Sequence, residues 1–566
     1  MLKKLFPALI LLSFLSACAS PSPIPVPPTQ ASINPDAWWR TAVFYEIFVR
    51  SYYDTNGNGI GDFNGITAKL DYLQDLGITA LWLMPIHPSP SYHGYDVTDY
   101  YAVNPEYGTM DDFKNLLAEA HKRDMRIIID LVINHTSSQH PWFVDANASL
   151  ESEYRNYYLW ADSPGAGNWH QGQHGYYYGF FWDGMPDLNY TNPTVTAAMY
   201  KINDYWLNEV GVDGFRIDAV KHLIEQDGKL ENTPATHSWL KDYYKTYEES
   251  NPKSYTIGEV YGAGSSVIKQ YTGTELDHIF NFEMASGIMG SVRGGANSGI
   301  VSAMKFALMD MPDFNYATFL TNHDQNRVMS VFNGDVEKAK TAAFLLLTLP
   351  GTPFIYYGEE IGMTGVKPDE DIRLPMQWSG EENAGFTTDS PWRGISPGAE
   401  TANVAVEEAD STSLLNHYKM LIHLRESNPA LQMGDALLLE TGNNAVFALL
   451  RSWGNEHILI VLNLKDEPIT DYNLSLTTSA LTKGSATPDV LFGNIRPDQI
   501  HITDNGFSNY RPSAELEPHQ RMILLLRYFY NLLNDVQLHS YIRQGYKDAE
   551  GRKDDPRPGS SVGLDP

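Results

Sequence analysis

A chain of 566 residues with 43% hydrophobic and 19% charged residues can bury a large core, which excludes a disordered polypeptide. Its 40 basic against 69 acidic residues leave a net charge of −29, a field that repels phosphate backbones and excludes nucleic acid as a partner. That balance suits a neutral substrate and divalent cations, and the single cysteine excludes an intramolecular disulfide.

In chain order, residues 1–18 read as a lipoprotein signal peptide. Lys3 and Lys4 precede an apolar run from Leu5 to Leu15, which is too short for a transmembrane helix. The run ends Leu15-Ser16-Ala17-Cys18, the pattern of a lipobox, so Cys18 is the expected lipid acceptor and the protein is expected outside the cytoplasm, anchored to a membrane. Pro-rich residues 19–34 read as a tether. From residue 35, short apolar runs alternate with helix-compatible stretches. They are Val43–Val49, Ile78–Pro85, Arg126–Ile133, Gly214–Asp218, Tyr255–Val260, His278–Phe282, Ala317–Thr321 and Pro353–Gly358. Nearly continuous apolar runs indicate strands buried on both faces, and about eight of them with intervening helices predict an α/β (β/α)8 TIM barrel over 35–133 and 193–428. An aromatic, Gly-rich stretch at 134–192 interrupts the spacing and predicts an inserted domain after the third strand. Alternating runs such as Ala445–Trp453 and His457–Leu464 predict a C-terminal all-β domain, a β-sandwich over 429–530. The polar stretch 531–566 reads as a tail.

Active sites of such barrels lie at the C-terminal ends of the strands. Four runs end in polar clusters there: Asp130-Leu-Val-Ile-Asn134-His135, Arg216-Ile-Asp218-Ala219-Val220-Lys221-His222, Glu259-Val260, and Asn322-His323-Asp324. One acid at a strand end reads as a helix cap or an ion-pair partner; four clusters together point to a site. A further loop, Asp54-Thr-Asn56-Gly-Asn58-Gly-Ile60-Gly-Asp62, offers oxygens at alternate positions, with Ile60 supplying a carbonyl. It parallels the start of an EF-hand loop, but Gly65 stands where the distal Glu belongs.

The four clusters, in this order, resemble the four motif regions of glycoside hydrolase family 13, the α-amylase family. Met185-Pro-Asp187-Leu-Asn189 is similar to a fifth motif shared by neopullulanases and by an intermediate group that includes lipoprotein α-amylases. The resemblance covers roughly Asp36 to Trp378. It implies that Asp218 is the nucleophile, Glu259 the general acid and base, and Asp324 the group that holds and strains the sugar. Glu259 must then be protonated near neutral pH, through burial and the nearby acids. The resemblance also implies that Arg216 orients the Asp218 carboxylate, that His135 and His323 donate to sugar hydroxyls, and that Tyr95, in His93-Gly-Tyr95-Asp96, stacks on the sugar with Asp96 beside it. Arg373, four residues after Asp369, resembles a pair gripping the non-reducing side, and Lys221 and His222 face the leaving group. Calcium is the implied cofactor, on Asp54, Asn56, Asn58, Ile60 and Asp62, with Asn134 similar to a ligand of another family calcium site.

The implied activity is retaining endo-hydrolysis of α-1,4-glucosidic bonds in starch-like glucans and maltooligosaccharides. Ala219 and Lys221-His222 favour it. The calcium loop and Arg373-Leu-Pro-Met-Gln-Trp378 resemble exo-acting oligo-1,6-glucosidases and α-glucosidases instead, and neopullulanase-like action with transglycosylation stays open. The aromatic stretch Trp169–Trp182 reads equally as sugar platforms and as a small core. A non-catalytic sugar-binding relative would have lost Asp218 or Glu259, and both are present.

Overall fold

The computed structural model describes residues 37–526 apart from 166, so the signal-peptide, tether and tail readings lie outside the described residues. Eight parallel strands form the barrel: β1 (Phe44–Ile47), β2 (Ala80–Leu83) and β3 (Arg126–Leu131), then, after three strands of an insertion, β7 (Gly214–Ile217), β8 (Tyr255–Gly258), β9 (His278–Ile279), β10 (Ala317–Thr318) and β11 (Thr352–Tyr356). The sheet order is β10-β11-β1-β2-β3-β7-β8-β9. A parallel bridge between Phe280 and Ala317, with Asn281 N–H donating to Ala317 O at 3.1 Å, joins the two ends and closes the barrel.

Side chains alternate across a strand, so each strand feeds two cores. Phe44, Trp82, Ile128, Tyr255, Ile257, Phe280 and Phe354 form one cluster inside the barrel, where Phe44 and Phe354 stack at 4.2 Å. Their neighbours Tyr45, Leu81, Ile127, Ile129, Phe215 and Ile355 face outward into the larger core shared with the helices. The helices supply matching stripes. In Met110–His121, Phe113, Leu116, Leu117 and Ala120 are buried on one face, and a capping box between Thr109 and Asp112 fixes the start.

The insertion between β3 and β7 carries a helix (Pro141–Ala148) and a three-stranded antiparallel sheet of β4 (Trp160–Ala161), β5 (Trp169–Gly172) and β6 (Gly175–Tyr178), in the order β4-β6-β5. After the barrel, β12 (Asp435–Leu438), β13 (Val446–Trp453), β14 (Glu456–Asn463), β15 (Leu474–Thr477), β16 (Gly484–Ala486), β17 (Asp489–Phe492), β18 (Ile500–Ile502), β19 (Gly506–Tyr510) and β20 (Arg521–Leu525) make the all-β part. Its main sheet runs β12-β13-β14-β20-β17, with two-stranded sheets β15-β19 and β16-β18, and a separate apolar cluster that includes Val446, Leu459, Leu474, Ile500 and Leu524 lies among them. No helix among the described residues is long and apolar enough to cross a membrane.

Candidate active site

The two-residue period that fills the barrel also builds the site. Counting two residues on from inward-facing Phe44, Ile128 and Ile257 reaches Glu46, Asp130 and Glu259. On β7, Phe215 and Ile217 face the helices, which turns Arg216 and Asp218 inward. The parallel register places Arg216 directly opposite Asp130 on β3. Five ionisable side chains thus converge at the C-terminal rim, as the strand ends predict.

Arg216 is the hub. Its side chain is 1% exposed, against 0% for Asp130, 10% for Asp218 and 14% for Glu259. Nη1 donates to Asp218 Oδ1 at 2.6 Å and to both Asp130 oxygens at 3.1 Å, while Nη2 donates to Glu259 Oε2 at 2.5 Å. One guanidinium therefore spans the Asp218 and Glu259 carboxyls and brings them within reach of a single bond. Asp324 faces them from the loop after β10 and is the most open acid, 39% exposed. Arg373 Nη2 donates to it at 2.8 Å and lies 3.5 Å from Asp369.

The charges sort the acids. Burial pushes the Glu259 carboxyl up; Arg216 pulls it back, but Asp218 and Asp324 add to the rise, and it ends above its ordinary value. Burial likewise drives Asp130 up to about 7, with Arg216 opposing. Asp324 goes the other way: burial raises it, but His323, Arg373 and Arg216 outweigh that and hold it low. A buried acid shifted upward beside a second carboxyl on the same cation is the arrangement that general-acid cleavage of a glycosidic bond requires.

Tyr95 and His323 form the floor, their rings stacked at 5.7 Å with Tyr95 OH 2.7 Å from His323 Nε2. Tyr95 OH also donates to Asp130 at 3.1 Å. Asp96 is buried, and its Oδ1 accepts from Ser89 Oγ at 2.6 Å and from Ser91 Oγ. His135 Nε2 meets Tyr95 O at 3.1 Å and its ring meets Phe181 at 5.2 Å; burial pushes it below its ordinary value, which makes it a neutral hydrogen-bonding group. Beyond Phe181, His222 stacks on Phe180 at 4.0 Å and donates from Nδ1 to Leu230 O at 3.0 Å, while Lys221 reaches Tyr261 O at 3.0 Å and Glu231 at 2.7 Å. Phe181, Trp182 and Tyr261 stand exposed near this flank. Of the aromatic stretch, Tyr177 packs with Phe143 and Trp160 inside the insertion, whereas Phe180 and Phe181 turn toward the site, so the stretch serves both as core and as lining.

The first candidate metal loop is tightly folded. Asp54 accepts from the N–H groups of Asn56, Gly57 and Gly59 and from Thr387 Oγ1; Asp62 accepts from Thr55, the Asn56 amide and Gly65 N–H. Asn58 Oδ1 accepts from Ile60 N–H at 2.9 Å. Gly59 has φ +83°, and a Cβ there would lie 2.1 Å from Ser390 O. Asp54 and Asp62 are 6% and 3% exposed, and among the described residues neither forms an ion pair with a cation. Two buried carboxylates with only neutral partners, beside Asn56, Asn58 and the Ile60 carbonyl, fit a hard oxygen-seeking cation. Among the described residues no three His, Cys, Asp or Glu side chains share a metal-holding arrangement, so neutral oxygens would complete the set. Asn134 is placed apart from this loop, buried beside Asp187, whose carboxyl burial raises well above its ordinary value.

Asp130, named within a polar cluster, and Glu46 are the site residues to which sequence reasoning assigned no role. Asp130 lies in the third run, and its tie to Arg216 depends on register. Glu46 is an acid inside an apolar strand; that anomaly was the available signal.

The sequence from 46 to 434 matches the family model described as α-amylase, catalytic domain. "Alpha-amylase 3" of Dictyoglomus thermophilum is 43% identical over 443 residues, covering 76% of this chain and 86% of that protein. "Glucan 1,6-alpha-glucosidase" of Streptococcus pneumoniae is 34% identical over 523 residues, covering 81% and 97%. Among solved structures, an α-amylase from H. orenii superposes with a TM-score of 0.75 at 38% identity, covering 86% of this chain and 100% of that one.

Proposed function

Because the chain belongs to the α-amylase family of glycoside hydrolases, we propose that it hydrolyses α-1,4-glucosidic bonds within starch-like glucans and maltooligosaccharides, with retention of configuration. The observation that carries this reading is the single Arg216 guanidinium spanning Asp218 and Glu259, with Asp324 facing both.

In the first step Asp218 attacks the anomeric carbon as the bond to the leaving oxygen breaks, and Glu259 gives that oxygen its proton. The product is a glycosyl ester on Asp218. In the second step water attacks the same carbon, Glu259 takes the water's proton, and the Asp218 carboxylate departs. Retention calls for the two carboxyls to stand about 5–5.5 Å apart. The raised Glu259 supplies the proton. Asp324, held low, accepts from sugar hydroxyls, and Tyr95 offers a face for the ring. Ala219, which follows the nucleophile, and the His222–Phe180 stack on the leaving-group side favour α-1,4 endo-cleavage; the relatedness to Dictyoglomus α-amylase supports it.

A second reading has a specific observation behind it. Lys367, Asp369 and Arg373 form a charged chain beside Asp324, with Lys367–Asp369 at 2.9 Å, and Arg373 also reaches Tyr92 OH at 3.3 Å. A wall there favours exo-action from the non-reducing end, as in the oligo-1,6-glucosidases, of which one from Parageobacillus thermoglucosidasius is 34% identical. A product time course on soluble starch, maltotriose, pullulan and isomaltose separates the two. Mixed oligosaccharides early from starch support the first reading; glucose alone, from short substrates only, refutes it in favour of the second.

The proposal includes a calcium ion on Asp54, Asn56, Asn58, Ile60 and Asp62, which would lock the loop after β1 against residues 387–392. It also includes export and lipid attachment at Cys18, tested by loss of fatty-acid incorporation in Cys18→Ser.

A further inference from the structure

His323 Nδ1 lies 2.5 Å from Glu46 Oε1, and the two side chains are 1% and 3% exposed. Glu46 sits in β1, its strand neighbours Trp82 on β2 and Tyr356 on β11. The other ring nitrogen, Nε2, lies 2.7 Å from Tyr95 OH and 3.3 Å from Asp324 Oδ2. The ring is clamped between Tyr95, stacked at 17°, and the edge of Trp82 at 5.5 Å. A histidine with a carboxylate on each nitrogen takes a proton on each, and only the doubly protonated ring can donate in both directions.

We propose that Glu46 is a positioning residue of the site: it holds His323 as an imidazolium, so that an N–H and a positive charge at Nε2 face the space between Tyr95 and Asp324. The surrounding charges agree. Burial alone would lower His323, but Asp324 and Glu46 together carry it above its ordinary value, with Arg373 opposing. Arg373 Nε donates to His323 O at 2.9 Å. Behind Tyr95 stand Asp130 and Arg216, across the site stands Glu259, and behind Glu46 lies buried Glu359. The imidazolium in turn helps keep Asp324 ionised. The alkaline limit of sugar binding is then set by the second proton of His323, in addition to that of Glu259. This consequence rests on the reading that an α-glucan lies over His323; the protonation state does not.

The test is a titration of His323 by NMR in histidine-labelled full-length protein, with its signal assigned by its loss in His323→Asn. The wild-type midpoint is expected above the ordinary value of about 6.5. Glu46→Gln keeps an oxygen for Nδ1–H and removes only the charge, and should lower the midpoint by about one pH unit or more. In a Glu259→Gln background, affinity for a maltooligosaccharide should fall as pH rises through that midpoint, and adding Glu46→Gln should move the fall down by the same interval. A wild-type midpoint at or below the ordinary value overturns the proposal even if Glu46→Gln fails to fold, as does a midpoint that Glu46→Gln leaves in place. Absence of any maltooligosaccharide binding would instead overturn the functional reading, since the titration needs no substrate.

Discussion

Replacing Arg216 by Met removes the one cation that Asp130, Asp218 and Glu259 share. The side chain is 1% exposed, and four donor–acceptor contacts of 2.5 to 3.1 Å disappear with it. Breaking a buried pair on one side costs about 3–5 kcal/mol, because uncompensated charge stays in a dry site. The carboxyls escape part of that cost by taking up protons. Arg216 restrains both Asp130 and Glu259, so both rise further in Arg216→Met. Acids whose folded values are raised favour the fold while protonated and lose that contribution as pH rises through the folded value. The stability deficit of Arg216→Met should therefore be smallest in mild acid and widen through neutral pH. Urea unfolding across that range, beside starch hydrolysis, measures both effects. Arg216→Lys should recover part of the stability and little turnover, since a point charge cannot span two carboxyls. A deficit below about 1 kcal/mol at neutral pH, or one that narrows as pH rises, refutes the reasoning.

Burial pushes Glu359 up to about 8, and Tyr418 OH donates to it at 2.7 Å. Its contribution to stability is full in acid and is lost as pH rises from about 4.5 to about 8, on the order of 5 kcal/mol, so Glu359→Gln should flatten that slope in pH-dependent unfolding; parallel curves would contradict it. Ala219 has φ +47° immediately after Asp218, and a β-branched side chain is poorly tolerated there, so Ala219→Val should cost about 1–2 kcal/mol in urea unfolding; an unchanged midpoint would contradict it. Calcium at a hundredfold excess over its Kd should add about 2.7 kcal/mol to the stability, seen as a difference in melting temperature between calcium and chelator, and Asp54→Asn should abolish that difference.

The barrel was legible because its strands are buried on both faces. A run such as Ile78–Pro85 contains β2 (Ala80–Leu83) with its flanks, and His278–Phe282 overshoots β9 because Phe282 already opens a helix. The three carboxylates and Arg216 were legible for the converse reason, as polar groups at the ends of apolar runs. What sequence did not expose is pairing across the barrel. Asp130 and Arg216 are 86 positions apart and meet only through the β3–β7 register. Glu46 and His323 are 277 apart, and Glu46 was absorbed into an apolar run whose inner face it shares. Asp96 sits beside Tyr95 in the motif, and nothing in the sequence signalled that its Oδ1 accepts from Ser89 and Ser91 of its own loop.

The most direct test of the central claim is the configuration of the reducing end at the moment of release. Proton NMR of maltooligosaccharide cleavage, followed faster than mutarotation, should show the α-anomer first, because Asp218 and Glu259 under one guanidinium call for two displacements at the same carbon. Initial release of the β-anomer would contradict the assignment of Asp218 as the attacking group and of Glu259 as its partner.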